Sequence, residues 1–329
     1  MATPEYFRPI PDPGPGRWRL AGGWVRFSAL ERLARGEPPR IVPEAPAAVM
    51  AALTAPRPPL LGLAMDAPRI MGIVNVTPDS FSDGGRWNAD GGIAHGRALV
   101  ADGAHLLDVG GESTRPGALA IPAGDEIARI RPAVSALAGE VAVSLDTRKA
   151  PVARAGVAAG ARMINDVSGL DFDPGMAAAV ADTGAALCLM HAQGVPETMQ
   201  DDPRYDDVLL DVYDALAERI ARAEAAGIPR ARIVVDPGIG FGKTLDHNLA
   251  ILRRISLYHG LGVPVLLGAS RKRFIGTIGG AGTPEGRDAG SLAVTLAAVR
   301  QGIQIHRVHD VAATRQGLAL WQAIEGAEA

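Results

Sequence analysis

The chain has 329 residues, of which 47% are hydrophobic, 21% charged and 4% aromatic, and its formal net charge is −3. This length and composition suffice for one large domain with its own core plus a smaller piece. The slightly acidic balance argues against a nucleic-acid groove, which needs a basic surface. An anionic substrate would therefore have to be held by a local cluster of cations.

The lone cysteine and the N-terminus indicate the compartment. Cys188 lies in an apolar run without a CxxC partner, so it is interpreted as a small buried hydrophobe rather than a nucleophile or zinc ligand. The first residues lack the basic and apolar regions of a secretory signal, and no apolar run approaches the ~20 residues of a membrane span. These features predict a cytoplasmic protein with no membrane partner.

The segment 1–68 is rich in proline and contains no cluster of catalytic residue types. Residues 18–27 predict a small hairpin that turns at a pair of glycines. Residues 28–35 predict a short helix, with Ser28 as N-cap and Glu31 completing a capping box. We expect this segment to be an appendage that packs on one edge of the main domain.

From residue 69 onward, short runs rich in Val, Ile and Leu alternate with helical stretches. The predicted strands are 69–76, 105–110, 141–146, 163–167, 186–191, 233–236, 264–269 and 304–308. Predicted helices include 90–103, 124–138, 149–159, 205–226 and 284–300. Eight such units predict an α/β fold of the (β/α)8 TIM barrel type over 69–329. The alternative, a doubly wound open sheet, fits the strand count less well.

Six polar motifs follow these strands, at the positions where a parallel barrel carries its catalytic residues. They read NVTPDSFSDGG (75–85), DVGGESTRPG (108–117), DTRK (146–149), DPGIGFGK (236–243), SRKR (270–273) and RVHD (307–310). The first two are long, polar, glycine-containing loops, which are typical of mobile active-site lids. Plain surface loops are the alternative, which their density of functional groups disfavours.

Two carboxylates and an amide stand at predicted strand ends. Asp146 and Asp236 each end an apolar strand, and Asn165 lies near the end of another. Either carboxylate alone could simply cap the next helix. Together they indicate recognition of a planar heterocycle with an amino-amidine edge, because a carboxylate accepts two parallel N–H bonds from such an edge.

Positive charge follows predicted strands seven and eight, where barrels commonly bind phosphate. Lys272 belongs to the first of these runs, and Arg307 and His309 belong to the second. Arg307 and His309 are two residues apart in a strand, so both point to the same side and could clamp a phosphate. His306 points the other way and is interpreted as a structural histidine.

Other catalytic constellations are absent from the sequence. The DPGIGFGK motif is not a phosphate-binding P-loop, because the first glycine of that pattern would fall on Pro237. No Ser-His-Asp arrangement stands out, no His/Cys cluster has zinc spacing, and His191 either lines the site or fills space. A Mg²⁺ ion carried by substrate phosphates needs few protein ligands, and Asn75 is the candidate for it.

These motifs, which all occur in family order between residues 69 and 325, resemble those of the dihydropteroate synthases. The first two motifs are long and highly specific, and the shorter ones corroborate them by their order. The resemblance implies that 6-hydroxymethyl-7,8-dihydropterin pyrophosphate condenses with p-aminobenzoate to give 7,8-dihydropteroate and pyrophosphate, with Mg²⁺ assisting. It also implies a homodimer whose other partners are these small molecules.

The resemblance implies a role for each matching residue. Asp236 would pair with the amino-amidine edge of the pterin, and Asp146 and Asn165 would bind the ring from other strands. Asp146 would also stabilise positive charge that develops on the ring. Lys272 would contact both the pterin and the aminobenzoate side.

The pyrophosphate and its Mg²⁺ would be held by Asn75, Arg307 and His309. Met190 is a further candidate substrate-binding residue. The aminobenzoate pocket would be formed by Phe81, Thr114, Arg115, Pro116, Phe241 and Ser270. Because Phe81 and Pro116 keep the family pattern, we expect sulfonamides to compete with p-aminobenzoate.

One residue departs from the family pattern, and two other functions compete with the synthase. Arg148 stands where a smaller polar or aromatic residue is common, and we expect it to point away from Asp146. A methyltetrahydrofolate-dependent methyltransferase shares the pterin barrel but needs no pyrophosphate clamp. A catalytically silent pterin-binding protein would be expected to have lost loop residues or Lys272, and all are present.

Overall fold

The computed structural model describes residues 4–12, 14, 16–77, 89–113, 118–194 and 198–325. An antiparallel sheet of four strands lies at the start of this described part. Its strands are β1 (Glu5–Asp12), β2 (Trp18–Arg19), β3 (Arg26–Ala34) and β4 (Arg40–Val42). No helix in the described ranges is long and apolar enough to cross a membrane.

The rest of the described chain is built around eight parallel strands in the order β10-β9-β8-β7-β6-β5-β12-β11. Their bounds are β5 (Arg69–Asn75), β6 (Leu106–Gly110), β7 (Ala142–Asp146), β8 (Met163–Asp166), β9 (Ala186–Met190), β10 (Ile233–Asp236), β11 (Leu266–Leu267) and β12 (Ile305–Val308). A parallel bridge between Val235 and Val265 joins the two ends of this order. The predicted (β/α)8 barrel is therefore confirmed, although predicted strand seven pairs over two residues only.

Helices connect these strands and cover the barrel. In the described ranges they are α1 (Ala47–Thr54), α2 (Ala89–Ala101), α3 (Ala123–Leu137), α4 (Ala150–Ala158), α5 (Met176–Thr183), α6 (Val208–Ala225), α7 (Leu245–Arg253), α8 (Arg273–Gly279), α9 (Asp288–Val299) and α10 (Val311–Glu325). The predicted helices lie within a few residues of α2, α3, α4, α6 and α9. The last of these is preceded by a separate 3₁₀ turn, Glu285–Arg287.

Alternation along the barrel strands separates an apolar layer from a polar one. The apolar layer forms one buried cluster that includes Met71, Leu106, Met163, Cys188, Val234, Leu266 and Ile305. Because side chains two residues apart share a face of a strand, the next inward positions lie one layer closer to the carboxyl ends. Those positions hold Asp108, Asn165, Asp236 and Arg307. The strand pattern thus places polar groups directly above an apolar floor.

The segment before the first barrel strand packs against this apolar floor. Leu60 and Met65 belong to the same buried cluster as the inward floor residues. Leu60 and Leu61 also line a cleft beside Arg162 and Arg232, which precede β8 and β10. The segment therefore covers the amino-terminal end of the barrel, opposite the polar layer.

The predicted helix over 28–35 is wrong, because most of that segment belongs to β3. Strand β3 pairs with β1 along the whole length of that strand, and it pairs with β2 as the predicted hairpin requires. Ser28 Oγ does not cap a helix; it donates to Asp12 Oδ2 and accepts from the Arg17 backbone N–H. Strand pairing and the burial of Leu30 outweigh the local preference for a capped helix.

Candidate active site

An ion-pair centre lies in the polar layer of the barrel. Arg307 donates from Nη2 to Asp146 Oδ2 at 2.9 Å and from Nε to Asp108 Oδ2 at 2.5 Å. Asn165 Nδ2 donates to the same Asp108 oxygen at 3.0 Å. Strands β6, β7, β8 and β12 thus bring two carboxylates, an amide and a guanidinium into one connected group.

Burial sets the charge balance of this centre. Burial raises the pKa of Asp146 to about 7, against the opposing attraction of Arg307. The pKa of Arg307 is raised, because Asp108 and Asp146 outweigh its burial. Asp108 Oδ1 and Asp146 Oδ1 are buried and have no hydrogen-bond partner among the described residues. Two buried acceptors are therefore left without a donor, which is typical of a functional site.

Sequence reasoning assigned no role to Asp108, although it begins one of the motifs. Asp108 is fully buried and bonds two of the predicted site residues, Asn165 and Arg307. Its signal was its position: Leu106, Asp108 and Gly110 alternate on the inward face of β6. A carboxylate on the inward face of an otherwise apolar strand must find partners inside the barrel.

A second charged pair lies on the other side of the polar layer. Asp236 Oδ1 accepts the Gly238 backbone N–H at 2.7 Å. Burial raises the pKa of Asp236, with Lys272 opposing, and burial lowers the pKa of Lys272 to about 8, with Asp236 opposing. Lys272 Nζ donates to the Ile239 carbonyl and lies 4.5 Å from the centre of the Phe241 ring. The structure therefore brings Asp236, Lys272 and Phe241 together.

The loop after β10, residues 237–243, is held in shape by the side chain of its own last residue, Lys243. Its Nζ donates to the carbonyls of Gly238, Phe241 and His191 at 2.9, 3.1 and 3.2 Å, and lies 3.0 Å from His191 Nδ1. Burial and Lys243 lower the pKa of His191 to about 2, so its ring is neutral and Nδ1 can accept. Lys243 is thus bonded by two carbonyls of its own loop and by His191.

This loop needs glycine where it passes the end of β9. Gly238 has φ +67°, and a Cβ there would lie 1.8 Å from the His191 carbonyl oxygen. Met190, at the end of β9, pairs in register with Asp236. Met190 is buried, and its carbonyl accepts from Arg219 at 3.1 Å. The close approach explains the glycine-rich sequence and keeps Asp236 at the barrel mouth.

Ser270 and His309 are direct neighbours. Ser270 Oγ accepts the His309 backbone N–H at 3.2 Å and lies 3.0 Å from His309 Nδ1. His306 is fully buried, and its Nε2 lies 2.9 Å from the Ile303 carbonyl, as expected of a structural histidine. The resemblance assigns Ser270 to the aminobenzoate pocket and His309 to the pyrophosphate. Their contact means that these two expected subsites adjoin each other.

Asn75 ends β5 and is separated from Asp146 by a glycine. Gly110 pairs in register with Asn75 on one side and with Asp146 on the other. A Cβ at Gly110 would lie 3.4 Å from Asp146 Cβ, so the absence of a side chain leaves room between the amide and the carboxylate. Within the described ranges no cluster of three His, Cys, Asp or Glu side chains could hold a metal.

A buried network lies behind the second long loop. Lys149 Nζ donates to Glu112 Oε1 at 2.8 Å, to Glu126 Oε2 at 2.6 Å and to the Ile121 carbonyl at 2.7 Å. Glu112 Oε1 also accepts the Ile121 backbone N–H at 2.8 Å. Both sides of this loop are thereby tied to the segment that follows Asp146. Sequence reasoning missed Glu112 and Glu126.

Arg148, the departure from the family pattern, belongs to the same network. Its Nε lies 3.2 Å from Glu112 Oε2, and its guanidinium lies 4.1 Å from the centre of the Phe172 ring. These contacts direct it to the outside of the polar layer. Four predicted site residues lie outside the described part of the chain: Phe81, Thr114, Arg115 and Pro116.

The sequence profile of a family described as pterin binding enzyme matches residues 71–309. The dihydropteroate synthase of Escherichia coli K12 is 46% identical over 264 residues, which cover 79% of this chain and 93% of that protein. The dihydropteroate synthase of Bacillus subtilis is 44% identical over 245 residues, which cover 74% and 83%.

Two solved structures are similar over most of the chain. Xanthomonas albilineans dihydropteroate synthase with 4-aminobenzoic acid has a TM-score of 0.76 and 49% identity, and the match covers 81% of this chain and 96% of that chain. Yersinia pestis dihydropteroate synthase with a sulfonamide drug complex has a TM-score of 0.76 and 44% identity, with coverage of 80% and 97%.

Proposed function

The chain belongs to the pterin binding enzyme family, and we infer that it is a dihydropteroate synthase. This transferase condenses 6-hydroxymethyl-7,8-dihydropterin pyrophosphate with p-aminobenzoate, giving 7,8-dihydropteroate and pyrophosphate. The observation that carries the inference is the polar layer above the apolar floor, where two carboxylates keep open acceptors beside a guanidinium. Such a layer matches a ring that is rich in donors and attached to an anionic leaving group.

The pterin would be recognised by groups on rigid strands. Asp236 would accept the two parallel N–H bonds of the amino-amidine edge, and Asn165 and Asp146 would bind the ring from β8 and β7. Asp108 would keep the Asn165 amide and the Arg307 guanidinium in place, since it accepts from both. Short barrel strands hold these groups more tightly than loops would.

The reaction would proceed by displacement at the pterin methylene carbon. The aromatic amine forms the new C–N bond, the C–O bond breaks, pyrophosphate leaves with the electron pair, and the amine proton passes to solvent. Positive charge grows on the pterin as the bond breaks, and the Asp146 carboxylate stabilises it more in the transition state than in the ground state. Arg307 and His309 would bind the departing pyrophosphate.

We propose Mg²⁺ as the metal that accompanies the pyrophosphate. An ion held mainly by phosphate oxygens and water needs few protein ligands, and the Asn75 amide offers one hard oxygen at the end of β5. The donor set near the mouth fits such a loosely held ion better than a dedicated protein cage. When bound, Mg²⁺ would neutralise the negative charge on the leaving group.

The aminobenzoate would bind at the border formed by Phe241, Lys272 and Ser270, with Met190 beside it. Phe81, Thr114, Arg115 and Pro116 would belong to this pocket, as the resemblance implies. We expect sulfonamides to compete with p-aminobenzoate for it, as the resemblance implies. Steady-state inhibition that is not competitive with p-aminobenzoate would contradict this part of the assignment.

The direct test is pyrophosphate release from the purified protein with Mg²⁺, the pterin pyrophosphate and p-aminobenzoate. The test variant is Asp146→Asn, and the matched control is Asp166→Asn. Asp166 is also a buried carboxylate at a strand end, but it accepts from Ser168 and Leu170 in its own turn. Release that requires the amine, yields dihydropteroate and is lost only in Asp146→Asn supports the proposal.

Tight pterin binding without turnover would instead favour a silent binder or a methyltransferase. Methyl transfer from methyltetrahydrofolate separates these two outcomes.

We further propose a homodimer in the cytoplasm, with residues 1–68 as an extension that packs on the barrel. Sedimentation analysis of the full chain would test the dimer.

A further inference from the structure

Asp211 on α6 joins the N-terminal segment to the chain that leads into that helix. Its Oδ1 accepts from Arg35 Nη1, directly after β3. Its Oδ2 accepts the backbone N–H groups of Asp206 and Asp207 at 3.0 and 3.2 Å. One carboxylate therefore fixes the start of α6 and is itself held from outside the region that the family profile matches, 71–309.

Arg35 is held in place by two carboxylates on the same helix. Its Nη2 donates to Asp214 Oδ2 at 2.7 Å, and the Tyr6 hydroxyl donates to the same carboxylate at 2.8 Å. The pKa of Arg35 is raised, chiefly by its bond to Asp214 with burial opposing. A single exposed ion pair contributes little to stability, but a guanidinium shared by two carboxylates has a defined geometry.

Tyr205 carries the connection from this point to the substrate-binding loop, residues 237–243. It directly precedes Asp206, and its hydroxyl donates to the Gly242 carbonyl at 2.7 Å. Gly242 has φ +59°, and a Cβ there would lie 2.3 Å from the Gln193 carbonyl oxygen. Gly242 is thus enclosed between the Tyr205 side and the chain after β9, directly beside Phe241.

The chain after β9 is closed on itself at the same place. Gln193 Nε2 donates to the Arg204 carbonyl at 2.8 Å, and Gln193 Oε1 accepts the Arg204 backbone N–H at 3.0 Å. The Tyr205 ring lies 5.0 Å from the His247 ring, centre to centre, at the start of α7. Contacts therefore continue from Arg35 to the residue next to Phe241.

We propose that the N-terminal sheet is a brace for the substrate-binding loop, acting through the positioning residues Arg35, Asp211 and Tyr205. The inference rests on the proposed function and assigns the brace to the aminobenzoate side of that site. Asp146 and Asn165 stand on barrel strands and need no such support, whereas Phe241 stands on the loop itself. Asp236, which would bind the pterin, is the last residue of β10 and is held by that strand as well as by the loop. Loss of the brace therefore weakens aminobenzoate binding and leaves pterin binding nearly intact.

The test compares Arg35→Met, Tyr205→Phe and the double variant with Tyr6→Phe as matched control. Tyr6→Phe removes a bond to Asp214 at the same contact, but Asp214 does not reach the chain before α6. We expect the KM for p-aminobenzoate to rise about three- to tenfold in Arg35→Met, with pterin affinity unchanged, and the double variant to be sub-additive. Tyr6→Phe should behave as the parent protein.

Hydrogen exchange gives a readout that does not depend on activity. Amides of Asp206 and Asp207 should exchange faster in Arg35→Met than in Tyr6→Phe, because their acceptor is no longer held. An equal rise of KM in Arg35→Met and Tyr6→Phe, or no change in either measurement, would overturn the brace. If the parent protein had no synthase activity but Arg35→Met still exchanged faster than Tyr6→Phe, the proposed function would fail while the brace would stand.

Discussion

The polar layer of the barrel and the N-terminal sheet carry similar charged residues but use them in opposite ways. In the barrel, Asp108, Asp146 and Arg307 are enclosed by strands and share few bonds, and two carboxylate oxygens keep no partner in the described structure. In the N-terminal sheet, Glu31 is bonded by Arg8 of the same sheet and by Arg254, which follows α7 of the barrel. Glu31 therefore lies where the sheet packs on the barrel.

The difference separates charge kept for chemistry from charge used for attachment. Burial raises the pKa of Asp146 to about 7, whereas Glu31, also opposed by burial, has a lowered pKa because Arg254 and Arg8 bond it. A carboxylate left short of donors is costly to the fold, which is typical of a functional site. A fully bonded carboxylate in the N-terminal sheet costs the fold little and fixes the position of the sheet.

Asp146→Asn is the strongest test of the idea that the barrel carboxylates serve chemistry at a cost to stability. We expect turnover to fall by about 10²–10³-fold, because a carboxylate aimed at developing charge is lost. We also expect a higher melting temperature at pH 8 than the parent protein has. The folded-state pKa is raised from 3.8 to about 7, so the parent loses stability as pH rises through that window.

Thermal melts between pH 4 and pH 8, together with turnover at pH 8, check this prediction. The advantage of the variant should shrink as the pH falls toward 4, because the folded-state carboxyl is then protonated and the unfolded-state carboxyl, with its ordinary pKa of 3.8, begins to bind its proton as well. Asp166→Asn is the control, since its side chain caps a turn. A less stable Asp146→Asn at every pH would show that the ion pair with Arg307 dominates over burial.

A smaller loss is expected from Arg307→Lys, which keeps the charge but removes the planar fork. Arg307 uses Nε and Nη2 for two different carboxylates, and an ammonium cannot reproduce that geometry. We expect the KM for the pterin pyrophosphate to rise roughly 10- to 100-fold, with the KM for p-aminobenzoate nearly unchanged. Steady-state kinetics with each substrate varied in turn would reveal the opposite pattern if Arg307 served the amine.

The same comparison explains which parts of the molecule the sequence predicts. Barrel strands are short, buried and repeated eight times, so strand-end positions were enough to single out Asn165 and Asp236. Alternation was used for Arg307 and His309 alone, which it put on one side of their strand. Asp108 was missed because it lies inside its strand rather than at the end. Its inward parity with Leu106 contains the information, but end positions were given all the weight.

The N-terminal segment resisted prediction for a physical reason. Residues 28–35 carry a local helix signal, and the strand they form depends on pairing with β1, which lies more than fifteen residues away. Local propensity is a weak guide when long-range pairing decides the outcome. The Glu112–Lys149–Glu126 network was invisible for the same reason, because its members come from three separate segments.

The pH profile of kcat/KM for the pterin pyrophosphate tests the protonation states that Asp146 and Lys272 need at the barrel mouth. Asp146 must be ionised and Lys272 protonated, and their pKa values are about 7 and about 8. We therefore expect a narrow bell-shaped profile whose alkaline limb reflects loss of the Lys272 proton. Lys272→Arg should remove the alkaline limb while the acid limb stays. An unchanged alkaline limb in that variant would assign it to another group.

The smallest effect is expected from Ser28→Ala in β3. A helix N-cap would lose about 0.5–2 kcal/mol on this change. In β3, however, Ser28 is exposed, and within the described ranges its hydroxyl bonds Asp12 and the Arg17 backbone, so we expect a loss within ~0.5 kcal/mol and unchanged turnover. Leu30→Ala is the contrasting variant, because that side chain is fully buried in the same strand and should cost about 2–5 kcal/mol. Denaturant unfolding of both variants distinguishes a strand, whose stability depends on its buried face, from a helix that depends on its cap.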